Sequence, residues 1–241
     1  MLDILRTASQ QAVDAFASNL HTSTVGVVER VDLERMRVDV RPVINRAYED
    51  GEHEEHAVLL DVPLMMPGCQ QALISLPVAA GDSVTLIFAQ SDIDTWSISD
   101  TSQPVPAATL RQFDSQDAIA IPGIYTAPRS LNRSSIRKYP HNPKDLVVSM
   151  NTGTGQECEV RLTQTGEVFI NTGARVTVNA QDVAVNAQTV NVTAPQTNIT
   201  GNVAITGNVQ ISGIMTLAGI NMNTHKHIGV QPGSGTTGIP V

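Results

Sequence analysis

Two histidines separated by a single residue, His225 and His227, are the side chains in this sequence best suited to hold a ligand. In an extended backbone, positions two apart project from one face, so both imidazoles point the same way. Imidazole is the commonest protein metal ligand. One chain offers only two such ligands, too few for a tight site. Three copies around a threefold axis bring six nitrogens to one point, a number that suits an octahedral transition metal better than four-coordinate zinc. The metal reading of His225 and His227 therefore depends on a trimer.

Other candidate chemistry is weaker. His53 and His56 lie three apart in YEDGEHEEHAV, among Glu52, Glu54 and Glu55. A zinc protease needs a helical H-E-x-x-H, with the histidines four positions apart. This segment has the wrong spacing and begins at an Asp-Gly turn, so a solvated hairpin loop is expected. PGSGTTG, near the C-terminus, lacks the lysine and following helix of a phosphate-binding loop. Turns that fold the last residues back over the tip are expected there.

The element that must position the histidines is the run from Val176 to Leu217. Its β-branched residues come in pairs two apart: Val176/Val178, Val183/Val185, Val190/Val192, Val203/Ile205 and Val209/Ile211, with Met215/Leu217 closing the series. VNAQ recurs at 178–181 and 185–188, and GNV at 201–203 and 207–209. Each pair lays one narrow apolar stripe on one face of a short strand, and such a unit cannot bury that face alone. From Asn171 onward the charged residues are Arg175, Asp182 and Lys226, and no Phe, Tyr or Trp follows Phe169. A thin stripe without aromatics fits several identical chains wound around one axis better than a single-chain solenoid. A disordered tail is disfavoured, because disordered segments are poor in β-branched residues.

Upstream, residues 2–20 place Leu2, Leu5, Ala12, Phe16 and Leu20 at near-helical spacing, which predicts an amphipathic helix. Its polar face is not basic, so a packing helix or arm is expected rather than a membrane anchor. Strand-like segments follow at Thr24–Val31, Met36–Ile44, Ala57–Val62, Ala72–Pro77 and Asp82–Ala89. Five short strands with turn signals predict a small closed barrel of the OB type. Oligonucleotide binding by such a barrel needs basic residues and stacking aromatics. The net charge of −8 and an aromatic content of 3% argue against a nucleic-acid partner. Residues 101–145 read as an irregular, proline-rich linker whose basic cluster, Arg129, Arg133, Arg137 and Lys138, covers the barrel. Strands resume at Leu146–Met150, Glu159–Leu162 and Glu167–Ile170.

Cys69 and Cys158 do not make a disulfide framework. The N-terminus lacks a basic region followed by a continuous apolar core, and no apolar run reaches the roughly 18 residues of a spanning helix. A protein made soluble in a cytoplasm is expected.

With these motifs in place, the chain resembles the central spike, or membrane-puncturing needle, of contractile phage tails and related injection machines. PVAAGDSVTLIFAQSDIDTW (77–96) is similar to the family's GD-turn strand and its acidic, Trp-ending segment. DAIAIPGIY (117–125) and the Val/Ile/Gly/Asn repeat follow. THKHIGVQPGSGTTGIPV resembles its H-x-H apex and Gly-rich closure.

The resemblance implies an all-β chain: an N-terminal OB-fold barrel, then an intertwined trimeric triple-stranded β-helix with a metal-capped tip. The expected boundaries are a helical arm over 1–20, an OB-fold collar over 21–105 and a Pro-rich linker over 106–145. The β-helix then covers 146–218 and the apex 219–241. The resemblance further implies one iron ion per homotrimer, held by His225 and His227 of three chains. It also implies a collar docked to tail hub or baseplate proteins, residence at the baseplate tip of the virion and synthesis in the host cytoplasm. No lysozyme insertion interrupts the chain, so the implied action is mechanical piercing of the bacterial outer envelope during contraction and genome delivery, not catalysis. The rival reading is a β-helical tailspike enzyme or receptor-binding module acting on surface polysaccharide. Glycoside hydrolysis needs two carboxylates a few ångströms apart. Residues 171–241 hold one acid, Asp182.

Overall fold

The computed structural model describes residues 2–47, 51, 53–226, 229 and 233. The chain divides into two compact units, Met1–Val178 and Asn179–Val241. The first opens with helix α1, Leu2–Asn19. Ile4, Val13 and Phe16 on it are exposed. Just beyond it the His21 N–H donates to the Phe113 carbonyl at 3.1 Å.

Five strands then build one sheet: β1 (Ser23–Asp32), β2 (Arg37–Pro42), β3 (Leu59–Pro63), β4 (Ser83–Phe88) and β5 (Ala118–Pro122). The order across it is β3-β2-β1-β4-β5, with antiparallel pairing throughout. Strand twist curls the sheet until its edges meet. The Met65 N–H donates to the Ala120 carbonyl at 2.8 Å, and Leu64 bridges Ala120 in parallel. This is a small five-stranded barrel, closed at that seam by a single bridge. Alternation puts Val28, Val38, Val40, Val62, Val84, Leu86, Ala118 and Ala120 into one core. Gly26 is required where β1 crosses it, because a Cβ there would collide with Val40 Cγ1.

The fifth strand differs from the expected one. Ala72–Pro77 contributes only Ala72–Leu73, paired with Gly68–Cys69 in a short hairpin. Ala118–Pro122 takes its place, inside the segment read as a linker. The proline at its end, Pro122, and the proline-rich surroundings hid the strand. AIAIP nonetheless alternates, with Ala118 and Ala120 buried against the core.

A second sheet is an antiparallel meander of β6 (Leu146–Met150), β7 (Cys158–Leu162) and β8 (Val168–Thr172). Its register aligns Val148, Val160 and Ile170 in one row and Leu146, Leu162 and Val168 in the next. These six apolar side chains are exposed, while Glu159 on the opposite face is buried. Among the described residues, the sheet turns its polar face toward its own chain and its apolar face to solvent.

From 173 to 215 there is no ladder, and every side chain from 173 to 220 is exposed. Among the described residues, the paired valines and isoleucines of the repeat find no partner. A single-chain solenoid is therefore not what this sequence forms, and the expected β-helix is not closed by one chain. The second unit does form one hairpin, β9 (Thr216–Leu217) with β10 (Ile220–Asn221). Its two-residue turn has φ of 48° at Ala218 and 82° at Gly219, the left-handed pair of a type I′ turn.

Candidate metal apex

His225 follows the β9–β10 hairpin directly. Beyond the turn, the Met222 N–H donates to the Met215 carbonyl at 2.9 Å and the Thr224 N–H to the Asn221 carbonyl at 3.3 Å. The Asn223 N–H is held at 2.9 Å by the Asn221 side-chain oxygen. This turn brings His225 Nδ1 to 2.9 Å from the Met222 carbonyl. A carbonyl can only accept, so this contact is a hydrogen bond only when Nδ1 carries the proton, which leaves Nε2 as the nitrogen that would face a metal. That tautomer, oriented by a backbone carbonyl, is the one a metal-ligating histidine uses. His227 lies outside the described residues, as does most of the Gly-rich closure after it. Among the described residues no cluster of histidines forms within one chain.

His53 and His56 behave as a hairpin loop. His53 and Glu54 pair with Ala47 and Arg46, and His56 Nε2 lies 3.1 Å from the Ile44 carbonyl.

Two charged clusters escaped the sequence reading. Asp92, Asp94 and Asp117 bring carboxylate oxygens within 4.8 Å of one another, a spacing that would admit a cation. Arg111 fills that role. Its Nε donates to Asp117 at 3.2 Å, and its Nη2 to Asp117 at 3.0 Å and Asp94 at 2.9 Å. Those bonds, Asp117 first and Asp94 next, raise the guanidinium above its usual pKa. The hydroxyl of Thr109, then the Asp94 N–H, hold the Asp92 carboxyl below the usual carboxylate range. The cluster is a clasp that closes the 89–117 segment on itself, next to the start of β5.

The second cluster lies under the polar face of the meander. Arg137 Nη2 donates to Glu159 at 3.1 Å and its Nε approaches Glu157 at 3.4 Å. All three are buried. Burial alone would raise the Glu157 carboxyl. The Lys138 and Gly153 N–H groups, each donating at 3.0 Å, and the Arg137 charge bring it below the usual range. Asn171 bonds Glu159 at 2.9 Å, and Arg161 donates to the Pro140 carbonyl at 2.9 Å. Arg137 thus grips acids of its own chain, while the Lys138 ammonium donates to the Gly155 carbonyl at 3.0 Å. Sequence separation hid the pairs: Arg137 and Glu159 stand 22 residues apart.

Two family descriptions match the chain. "Phage protein Gp138 N-terminal domain" matches residues 25–123, the span of the five-stranded barrel, including its last strand. "GpV Apex motif" matches residues 219–241, which contain β10, His225 and His227. No curated protein matches the chain. With a Gp138-type barrel at one end and a GpV apex at the other, the chain belongs to the central-spike proteins of the phage tail baseplate.

Proposed function

We propose that this protein acts as a trimeric piercing tip: three copies wind their 176–217 segments into a needle that contraction drives through the bacterial outer envelope. The observation that carries the reading is the stripe itself. Val183, Val185, Val190, Val192, Ile199, Val203, Ile205, Val209 and Ile211 are all exposed in the single chain. Water solvates such a contiguous stripe poorly, and threefold winding would bury it against its own copies. The same winding would pair backbone groups that one chain leaves without a ladder.

The apex motif of spike proteins is a metal-binding one, and the His225 tautomer fits that role. Six imidazoles from His225 and His227 of three chains would hold one iron ion. The ion offsets both the unsatisfied lone pairs of packed neutral histidines and the repulsion of protonated ones. It would fasten the three chains where little apolar surface remains.

The barrel serves as an OB-type collar that docks to tail hub proteins. No catalytic role is included. Asp182 is the one acid of 171–241, and the close carboxylates of the barrel already surround Arg111. Synthesis in the host cytoplasm belongs to the same reading. Solution mass tests it: light scattering should give three times the chain mass, and a stable folded monomer would overturn the needle and the metal site together.

A further inference from the structure

Helix α1 has an apolar stripe that the described residues of its own chain leave open. Every described side chain on the helix is exposed, Phe16 to 66% and Val13 to 57%. Ala12, Val13 and Phe16, with Leu20 just past the helix end, fall within an arc of about 100° of its surface. Thr7 and Gln11 lie on the opposite side. A helix draws most of its stability from packing such a stripe.

The barrel shows which way the helix leaves. β4 begins at Ser83, which with Pro122 faces Asn151 and Thr152 of the β6–β7 turn across a cleft of about 370 Å³. β4 ends at Phe88, whose N–H donates to the Thr22 carbonyl at 3.1 Å. α1 therefore joins the barrel at the end away from the meander, and so away from the segment that leads into the repeat. At that end Leu20, Pro42, Leu59 and Phe88 line a second cleft, of about 240 Å³, which carries apolar surface from the helix onto the barrel.

We propose that α1 is the docking element of the collar: its Val13, Phe16 and Leu20 stripe lies in an apolar groove of the tail hub protein. The proposal rests on the hub-docking reading above and moves the contact from the barrel wall to the helix. Three observations select that occupant. A spike carries its needle away from the tail, so the barrel end that bears α1 is the one that meets the hub. A heptad seam counted from Leu2 would run through positions 5, 9, 12, 16 and 19, placing Ser9 and Asn19 in the core of any bundle of α1 copies. The spacing of 13, 16 and 20 instead matches the i, i+3, i+7 anchors of a helix laid in a groove. Asp3, Arg6 and Asp14 are the charges of residues 2–20, so the helix lacks the basic face that a membrane surface would hold.

The experiment titrates the full-length chain with purified hub protein of the same tail, read by calorimetry and by hydrogen exchange. Phe16→Asp should weaken binding about a hundredfold and Val13→Asp about tenfold. Gln11→Asp, on the far side, should stay within about twofold of wild type. Exchange of the α1 amides should slow at least about tenfold when the hub is added. Because the contact is apolar, raising salt from about 50 to about 500 mM should change the affinity less than about threefold. Wild-type binding to the hub that Phe16→Asp leaves intact, with α1 amides exchanging as before, overturns the proposal and leaves the collar reading standing. Loss of the trimer mass in Phe16→Asp shows α1 packed on its own copies and also overturns it. So does slowing of α1 exchange by anionic phospholipid vesicles and not by the hub. A wild-type chain that does not bind the hub removes the collar reading and this proposal together.

Discussion

In the barrel, Val38, Val40 and Val84 are 1%, 0% and 0% exposed, while in the tail Val185, Val192 and Ile205 are 68%, 71% and 64% exposed. Residue type and the i, i+2 spacing are the same in both regions. The difference lies in what the chain supplies across from each pair. In the barrel, a short turn returns β1 as β2, and longer connections bring β3, β4 and β5 back over the same core. In the tail, no second strand of the same chain comes back before the hairpin at Thr216. Alternation makes a face, and chain connectivity decides whether that face finds its cover within one molecule.

The comparison breaks most sharply at assembly. Val185→Asp or Val192→Asp should abolish trimer formation, read by light scattering, since threefold winding would bury three carboxylates without partners. The barrel in that variant should keep its own cooperative unfolding transition.

Fragments come next. A chain beginning at Leu146 loses Arg137, the cation beside Glu157 and the nearer of two beside Glu159, where Arg161 stays at 3.8 Å. A chain beginning at Ser130 keeps it. Circular dichroism should show the 130–241 fragment better folded than 146–241. Equal stability of the two would show that the cluster does not hold the meander. In the full chain, Arg137→Ala should cost about 3–5 kcal/mol in the transition that reports on the meander. By comparison, Leu86→Ala should cost about 2–5 kcal/mol in the barrel transition while leaving the trimer mass unchanged.

Acid sharpens the contrast in another way. Asp39 is held below the usual carboxylate range by the Arg30 hydrogen bond and the Asp61 N–H, and Asp92 and Glu157 are also lowered. Carboxyls depressed in the folded state stabilise it above their unfolded pKa, about 4. That stability is lost as pH falls from about 4 through the lower folded values. Chemical denaturation between pH 6 and pH 2 should therefore weaken the first unit progressively. The needle, with Asp182 as its one acid, should hold its trimer over the same range. Equal acid sensitivity of both regions would remove the distinction.

The smallest effect belongs to the tip. His225→Ala should lose the metal and fray the last residues while upstream copies stay trimeric. Elemental analysis of untagged protein should find about one iron per three wild-type chains, consistent with six nitrogen ligands around one ion. Full occupancy in the variant, or none in the wild type, would rule out the site.

Local signals settled much of this protein before any coordinates. Spacing alone located α1, β1, β2 and β4, because helix and strand periods are properties of the backbone. The H-x-H pair marked the apex for the same reason, and the i, i+2 pairs of 176–217 marked a stripe in need of a partner. What tertiary structure decided was every pairing between distant residues. Ala118–Pro122, disguised by the proline at its end, became the closing strand because β4 offered it an edge and Val84 and Leu86 a core to fill. Arg111 and Arg137 found their acids only once loops had folded, since attraction between charges depends on distance in space and not along the chain. Which face of β6–β8 points outward was likewise undetermined by alternation, which is symmetric between the two faces. The buried Arg137–Glu159 pair, formed from residues 22 positions apart, broke that symmetry.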